Sequence, residues 1–219
     1  MLDVKKLRER LETLYDVYAN IAGEDQVSLV IRPPAAEQEV ARVERKIGLP
    51  LPHALRDFLL HFSGDCEFEA RLPEDFELPG ELGAIFAAEL VLSPEAVYYA
   101  ENVRREWIKG CFPDENDAYD RVWHHKLGFM QAGNGDVIAL DIGADAENPP
   151  VVYLSHDEGE GHGCILGRTF EEYMENLILV GACGCEDWQL LPFCPDAASG
   201  IDPNCENAVK YRERIGLHW

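Results

Sequence analysis

The stretch FMQAGNGDVIALD (residues 129–141), followed after an acidic, proline-bearing loop by VVYLSH (151–156), decides how this chain is read. Two short apolar runs flank Gly133-Asn134-Gly135-Asp136, and Asn-Gly tolerates the positive φ values that a tight hairpin turn demands. With Asn134 and Gly135 as the loop, Ala132 faces Val137, Met130 faces Ala139 and Phe129 faces Leu140. Phe129, Ile138 and Leu140 then share one face, and Met130, Val137, Ala139 and Asp141 the other. Both faces are mostly apolar, so the hairpin is expected inside a sheet rather than at its rim. Val151 to His156 supplies a third strand, with Val152, Leu154 and His156 on one side and Val151, Tyr153 and Ser155 on the other.

Outward from this hairpin, 219 residues without a linker-like segment predict one domain over 1–219. A net charge of −22 is the outstanding feature of the composition. Such a field repels nucleic-acid backbones and anionic membranes, no basic patch offsets it, and it attracts a basic protein. Plain solubility is the other use of that charge. The N-terminus has no apolar signal-peptide core and no run approaches the ~20 residues of a membrane-spanning helix, so the expected location is cytoplasmic. Seven cysteines without a repeated spacing read as free thiols, several of them packed as small apolar side chains.

In chain order, Val4, Leu7, Leu11, Leu14, Tyr18 and Ile21 predict an amphipathic helix over residues 3–22, able to pack on the domain or on a second copy of the chain. Val27–Ile31 is a strand. Ala36, Val40, Val43 and Ile47 mark a helix closed by Gly48, and Pro52 opens another carrying Leu55, Phe58, Leu59 and Phe62. CEFEARL (66–72) alternates, with Glu67, Glu69 and Arg71 on the wet face, and Ile85–Leu92 is in part a strand. Ser93-Pro94-Glu95 starts a helix that ends by Gly110, and Thr169 caps one running from Phe170 to about Val180. Cys164–Leu166 is a short strand, and the chain from Gly181 is turn-rich until a last helix near Asn207–Ile215. The fold class is α+β with a mainly antiparallel, twisted sheet packed by helices.

Ile47-Gly48-Leu49-Pro50, then Leu51-Pro52 leading into Leu55-Arg56-Asp57-Phe58-Leu59 and Ser63-Gly64, resembles the N-terminal signature of the SUKH superfamily, proteins similar to the fungal Smi/Knr cell-wall synthesis regulator. Val122-Trp123, Gly133-Asn134-Gly135-Asp136 with Leu140-Asp141, Pro150 to Tyr153 with His156-Asp157, and Phe170-Glu171-Glu172-Tyr173 continue the resemblance. GCEDWQLLPF, through Asn207-Ala208 to Tyr211-Arg212, resembles the ending of a bacterial branch. The resemblance spans about residues 33–215, dividing the chain into an N-terminal helix and strand (1–32), a SUKH-like core (33–181) and a Cys-containing extension (182–219). It implies a binding module: bacterial members are regarded as immunity proteins against polymorphic toxins, fungal ones as regulators of cell-wall synthesis. A basic toxin domain is the partner expected for an acidic member, with an intracellular regulatory or scaffold role as the alternative.

For chemistry, His156-Asp157-Glu158 with His162 is a grouping able to hold a metal or pass a proton, as a metal-dependent hydrolase would use it. A strand running into a solvated glycine-rich loop explains the same residues, and no nucleophile motif accompanies them. His124-His125 point oppositely in extended chain. Cys183, Cys185, Cys194 and Cys205 miss the usual zinc spacing, and Asp202-x-Asn204-x-Glu206 lacks the turn glycine of a calcium loop. No catalytic residue, metal or cofactor is therefore expected. Trp123, as an aromatic anchor, with Asp136, Asp141, His156, Asp157 and Glu158 around the hairpin, are the expected partner contacts. Burial is the competing use of Trp123 and Trp188.

Overall fold

Asp3 starts the first helix by accepting the Lys6 amide at 3.1 Å, and in the computed structural model, which describes residues 2–219, this helix (α1, Val4–Ala22) buries Leu7, Leu11, Leu14 and Tyr18. These sit at three- and four-residue steps on one stripe. The stripe packs within the chain, against β1 (Val27–Ile31), β2 (Cys66–Arg71), α6 (Phe170–Leu179) and α8 (Glu206–Ile215). The Tyr18 hydroxyl fixes the contact by bonding the Gly181 carbonyl and the Tyr211 hydroxyl, each at 2.8 Å. Self-association through α1 thus loses the face from which it was argued.

Between β1 and β2 lie α2 (Glu37–Ile47), closed by left-handed Gly48, and α3 (His53–Asp57), whose last turn widens over Phe58–Phe62. β1, β2 and β3 (Ala87–Leu92) form one antiparallel sheet in that order. Its inner face carries Cys66, Phe68, Ala70, Ala88, Leu90 and Leu92 into the main core. The outer face carries Glu67, Glu69 and Arg71, as the alternation of CEFEARL requires. Ser93 and Pro94 open α4 (Pro94–Gly110), and α5 (Asp120–Trp123) leads into the second sheet.

That sheet runs β4 (Leu127–Gln131), β5 (Val137–Leu140), β6 (Val151–Leu154) and β7 (Ile165–Gly167), all antiparallel. The hairpin forms where Asn-Gly predicts it, in a different register. Ala132 N–H donates to the Asp136 carbonyl at 2.9 Å, so Gly133, Asn134 and Gly135 make a three-residue loop. Gly135 has φ +98° and Asn134 does not have a positive φ, which excludes the two-residue turn needing both. A bulge at Phe129 shifts the ladder further: Met130 faces Ile138, and Gly128 faces Ala139. Phe129 and Met130 consequently both enter the main core with Ile138 and Leu140, while Val137 and Ala139 join a second cluster with Val152, Leu154 and Trp123.

β4 is an edge strand in pairing, contrary to the expectation of an interior hairpin, yet it is buried because α4 lies against it. A Cβ at Gly128 would come within 2.8 Å of the Ala100 carbonyl oxygen, so glycine allows the approach. Glu101 replaces the missing neighbour strand: its carboxylate, fully buried, accepts the Gly128 amide at 2.9 Å. Arg104 donates to the same carboxylate through Nε and a terminal nitrogen at 2.8 and 2.9 Å, and Arg105 adds a third cationic donor. Burial pushes the Glu101 carboxyl up, but these bonds outweigh it and hold the group below its ordinary value. The segment after Gly181 contains α7 (Asp187–Leu190), a short 3-10 turn (Leu191–Phe193) and α8, and packs Cys183, Leu190, Phe193 and Tyr211 into the main core.

Candidate functional site

Asp136 opens β5 and is almost wholly buried. Its Oδ1 accepts the His156 amide at 2.8 Å and faces His156 Nδ1 at 2.6 Å. Oδ2 accepts from the Tyr153 hydroxyl at 2.6 Å and the Asn134 amide group at 2.8 Å. This carboxylate therefore pins the β4–β5 loop to the end of β6, and burial of the Tyr153 phenol, reinforced by the adjoining Asp136 carboxylate, pushes that phenol well above its ordinary range. His156 stacks on Trp107, ring centroids 4.5 Å apart, and the Trp107 indole N–H reaches the Gly135 carbonyl at 3.0 Å. Beyond His156 the chain turns outward. Asp157 is exposed and takes the Ser155 hydroxyl at 2.8 Å, and Glu158 adopts a left-handed φ of +64° with its amide on the Tyr119 hydroxyl.

The expected contact residues thus divide. Asp136, His156, Asp157 and Glu158 gather at one end of the second sheet. Asp141 lies past the opposite end of β5, about 16 Å of strand away, paired with Lys126 at 3.0 Å and capping the turn at Ala144. Trp123 is fully buried, stacked on Phe112 at 5.0 Å and 9°. Its indole belongs to the second core and offers no surface to a partner.

His162 joins neither a metal nor a proton relay. Its Nδ1 accepts the Ser155 amide and its Nε2 donates to the Tyr119 carbonyl, and burial pushes its pKa down, so the ring is neutral with both nitrogens engaged. Asp136, His156 and Asp157 do bring potential ligand atoms within 4.8 Å of one another. Four donors already occupy the Asp136 oxygens, which makes the group a hydrogen-bonded knot. Cys66 and Cys194 are pushed up to about 12 by burial, and Cys183 and Cys185 are also raised, so these thiols stay protonated.

A second surface was not singled out from the sequence. The outer face of the first sheet, with Gly133 and Glu186 closing one end, forms a cleft of about 550 Å³. Glu69 and Glu89 stand directly opposite each other across β2 and β3, and Asp25 and Glu186 stand at the margins. The Glu69 carboxylate has no ion pair or hydrogen bond among the described residues, and the Glu89 carboxylate has only the Cys185 thiol at 3.1 Å. Like charges facing across a ladder oppose folding by some tenths of a kcal/mol. Phe86, more than half exposed, stacks on Trp188 at 5.7 Å beside this face. The one polar residue in AAELVL (87–92) was the available signal, but only the strand register sets Glu89 beside Glu69.

A family model for the SMI1/KNR4 family (SUKH-1) matches residues 34–176, more than half of the chain. The chain belongs to that family. No curated protein matches it. The SMI1/KNR4 match runs from the segment before α2 into α6 and so contains the Asp136 knot, β2 and β3. It leaves out β1, which nevertheless completes the first sheet, α1, which packs on that sheet, and the tail after α6.

Proposed function

We propose that this SUKH-type protein is a non-catalytic binding module of the immunity kind, whose acidic surface engages a basic toxin domain and neutralises it. The carrying observation is the family match together with the carboxylates Glu69 and Glu89, neither of them matched by a cationic side chain, on an open sheet face of a chain with net charge −22. A positively charged partner gains attraction over distance and relieves the repulsion between these two groups. The side chains at the Asp136 knot support a binding role because their polar atoms are committed to holding loops in place. A regulatory or scaffold role of the Smi/Knr kind rests on the same match, but the α1 stripe that would serve assembly is buried.

Co-expression with toxin-like products of adjacent genes tests the reading. Rescue from killing, with a complex whose affinity falls as salt rises from 50 to 500 mM, is the expected result (screening shortens to about 4–5 Å at the upper end). Failure to bind or rescue against every such product refutes it.

A further inference from the structure

β1 ends one side of the first sheet, and its outer edge is an open row of backbone donors and acceptors. Arg32 N–H donates to the Asp65 carbonyl at 2.9 Å, one step beyond the β1–β2 ladder and in its register. Antiparallel pairs alternate between bonded and non-bonded positions, so Val30 and Ser28 bond Glu67 and Glu69. The N–H and C=O groups of Leu29 and Ile31 therefore turn away from β2. The same alternation holds on the far side, where Leu72 N–H bonds the Phe86 carbonyl. No bond to the Leu29 or Ile31 backbone groups comes from any other element among the described residues.

The remaining edges of both sheets are treated differently. β3 is covered where Glu89 N–H bonds the Ala182 carbonyl, β7 where Ile165 N–H bonds the Ala197 carbonyl, and β4 by Glu101. Proteins usually blunt an open edge with lysine, proline or a bulge. VSLVI (27–31) contains none of these, and Ser28 to Ile31 are all at least partly exposed.

We propose that the β1 edge is a strand-addition site for an extended, basic segment of the partner protein. This names the docking element of the proposed binding role and rests on it. An added strand would alternate its side chains between the core side and the outer face. On the outer face its first neighbour is Ser28, small enough to let an arginine pass over it, and the next strand in line carries Glu69 opposite Glu89. Glu69 lies two strand spacings from the added chain, about 10 Å, and Glu89 three, about 14 Å. A second copy of this chain is the poorer occupant, because pairing β1 with β1 would join two acidic faces and two bodies of charge −22.

The test uses the full chain, amide hydrogen exchange read residue by residue, and a synthetic nonapeptide alternating Arg and Thr. In the free protein Leu29 and Ile31 exchange fast while Ser28 and Val30 are protected. Saturating peptide should slow Leu29 and Ile31 about tenfold or more and leave Ser28 and Val30 unchanged. A Glu-Thr peptide and an Arg-Thr peptide N-methylated throughout should not do so. E69K with E89K, both on the solvent face, should weaken the Arg-Thr peptide at least about tenfold. Leu29→Pro removes the outward N–H, along with the leucine side chain that packs against the main core, and should abolish binding. If that variant does not fold, the exchange pattern and the charge reversal still decide.

Equal binding by the N-methylated peptide, protection confined to another surface, no protection at millimolar peptide, or protection of the same amides by self-association would each overturn the proposal. The two readings fail separately. A toxin complex that leaves Leu29 and Ile31 exchange unchanged sinks the edge and spares the immunity role. Peptide pairing at β1 without any toxin complex does the reverse.

Discussion

Replacing Glu101 by glutamine removes one charge from a site where α4, β4 and two arginines meet. Arg104 is almost as buried as Glu101, and it donates twice to this carboxylate and once to the Trp123 carbonyl at 2.6 Å. Glutamine keeps the volume, but its amide N–H groups face donors that have no other acceptor, and the Arg104 charge stays buried without a counter-ion. Removing one partner of a buried pair costs about 3–5 kcal/mol, while Arg105, being partly exposed, adds little beyond this. For a chain of this length each kcal/mol shifts Tm by about 2–4 °C, so E101Q should melt about 6–20 °C below the wild type at pH 7. The folded-state carboxyl lies below its ordinary value of 4.5, so its contribution is complete above that value and is lost as pH falls through the lower folded-state value. The gap between wild type and variant should therefore close in acid. Urea denaturation at pH 7 and at successively lower pH measures both effects. A loss under about 1 kcal/mol at neutral pH, or a gap that widens in acid, would refute the assignment of Glu101 as the group that closes the β4 edge.

Four further outcomes follow from the same structure. Asp136→Ala leaves the buried Tyr153 hydroxyl and the His156 amide without an acceptor, at a cost of about 2–5 kcal/mol; it should speed exchange of the His156 amide and alter Trp107 fluorescence, and an unchanged spectrum would count against the knot. Leu14→Ala, fully buried in α1, should cost about 2–5 kcal/mol in denaturant titration, and removal of residues 1–22 should unfold the chain rather than change its assembly state. At pH 8 a thiol reagent followed by mass spectrometry should label exposed Cys111 first and reach Cys66 only on unfolding, because a pKa of about 12 leaves Cys66 about one part in ten thousand ionised; equal labelling rates would refute its burial.

Local chemistry was legible wherever it acts over a few residues. Ser93 and Thr169 cap the helices they precede, Gly48 ends its helix in the left-handed region, and the alternation in CEFEAR sorts Glu69 and Arg71 from Phe68 and Ala70. The resemblance to the SUKH superfamily was legible on the same terms, because its short blocks keep their order along the chain, and the family match confirms it over residues 34–176. The hairpin was found but misregistered. Gly133 entering the loop and the bulge at Phe129 each move the pairing by one residue, and nothing in FMQAGNG marks either shift. Among the expected contacts, His156, Asp157 and Glu158 came together with Asp136 as neighbours in sequence suggest, whereas Trp123 went to the core and Asp141 to the other end of its strand.

The boundaries of the longer helices, the two faces of β2, the α+β class and the strong negative charge were decided by the sequence alone, since propensity, alternation and composition need no knowledge of what lies across the fold. Tertiary structure alone decided that Glu101 closes the β4 edge, that Glu69 meets Glu89, and that the edge of β1 stays open. Each depends on which distant segment arrives beside a given strand, and that is chosen by burial of the whole core, a property no short window of residues carries.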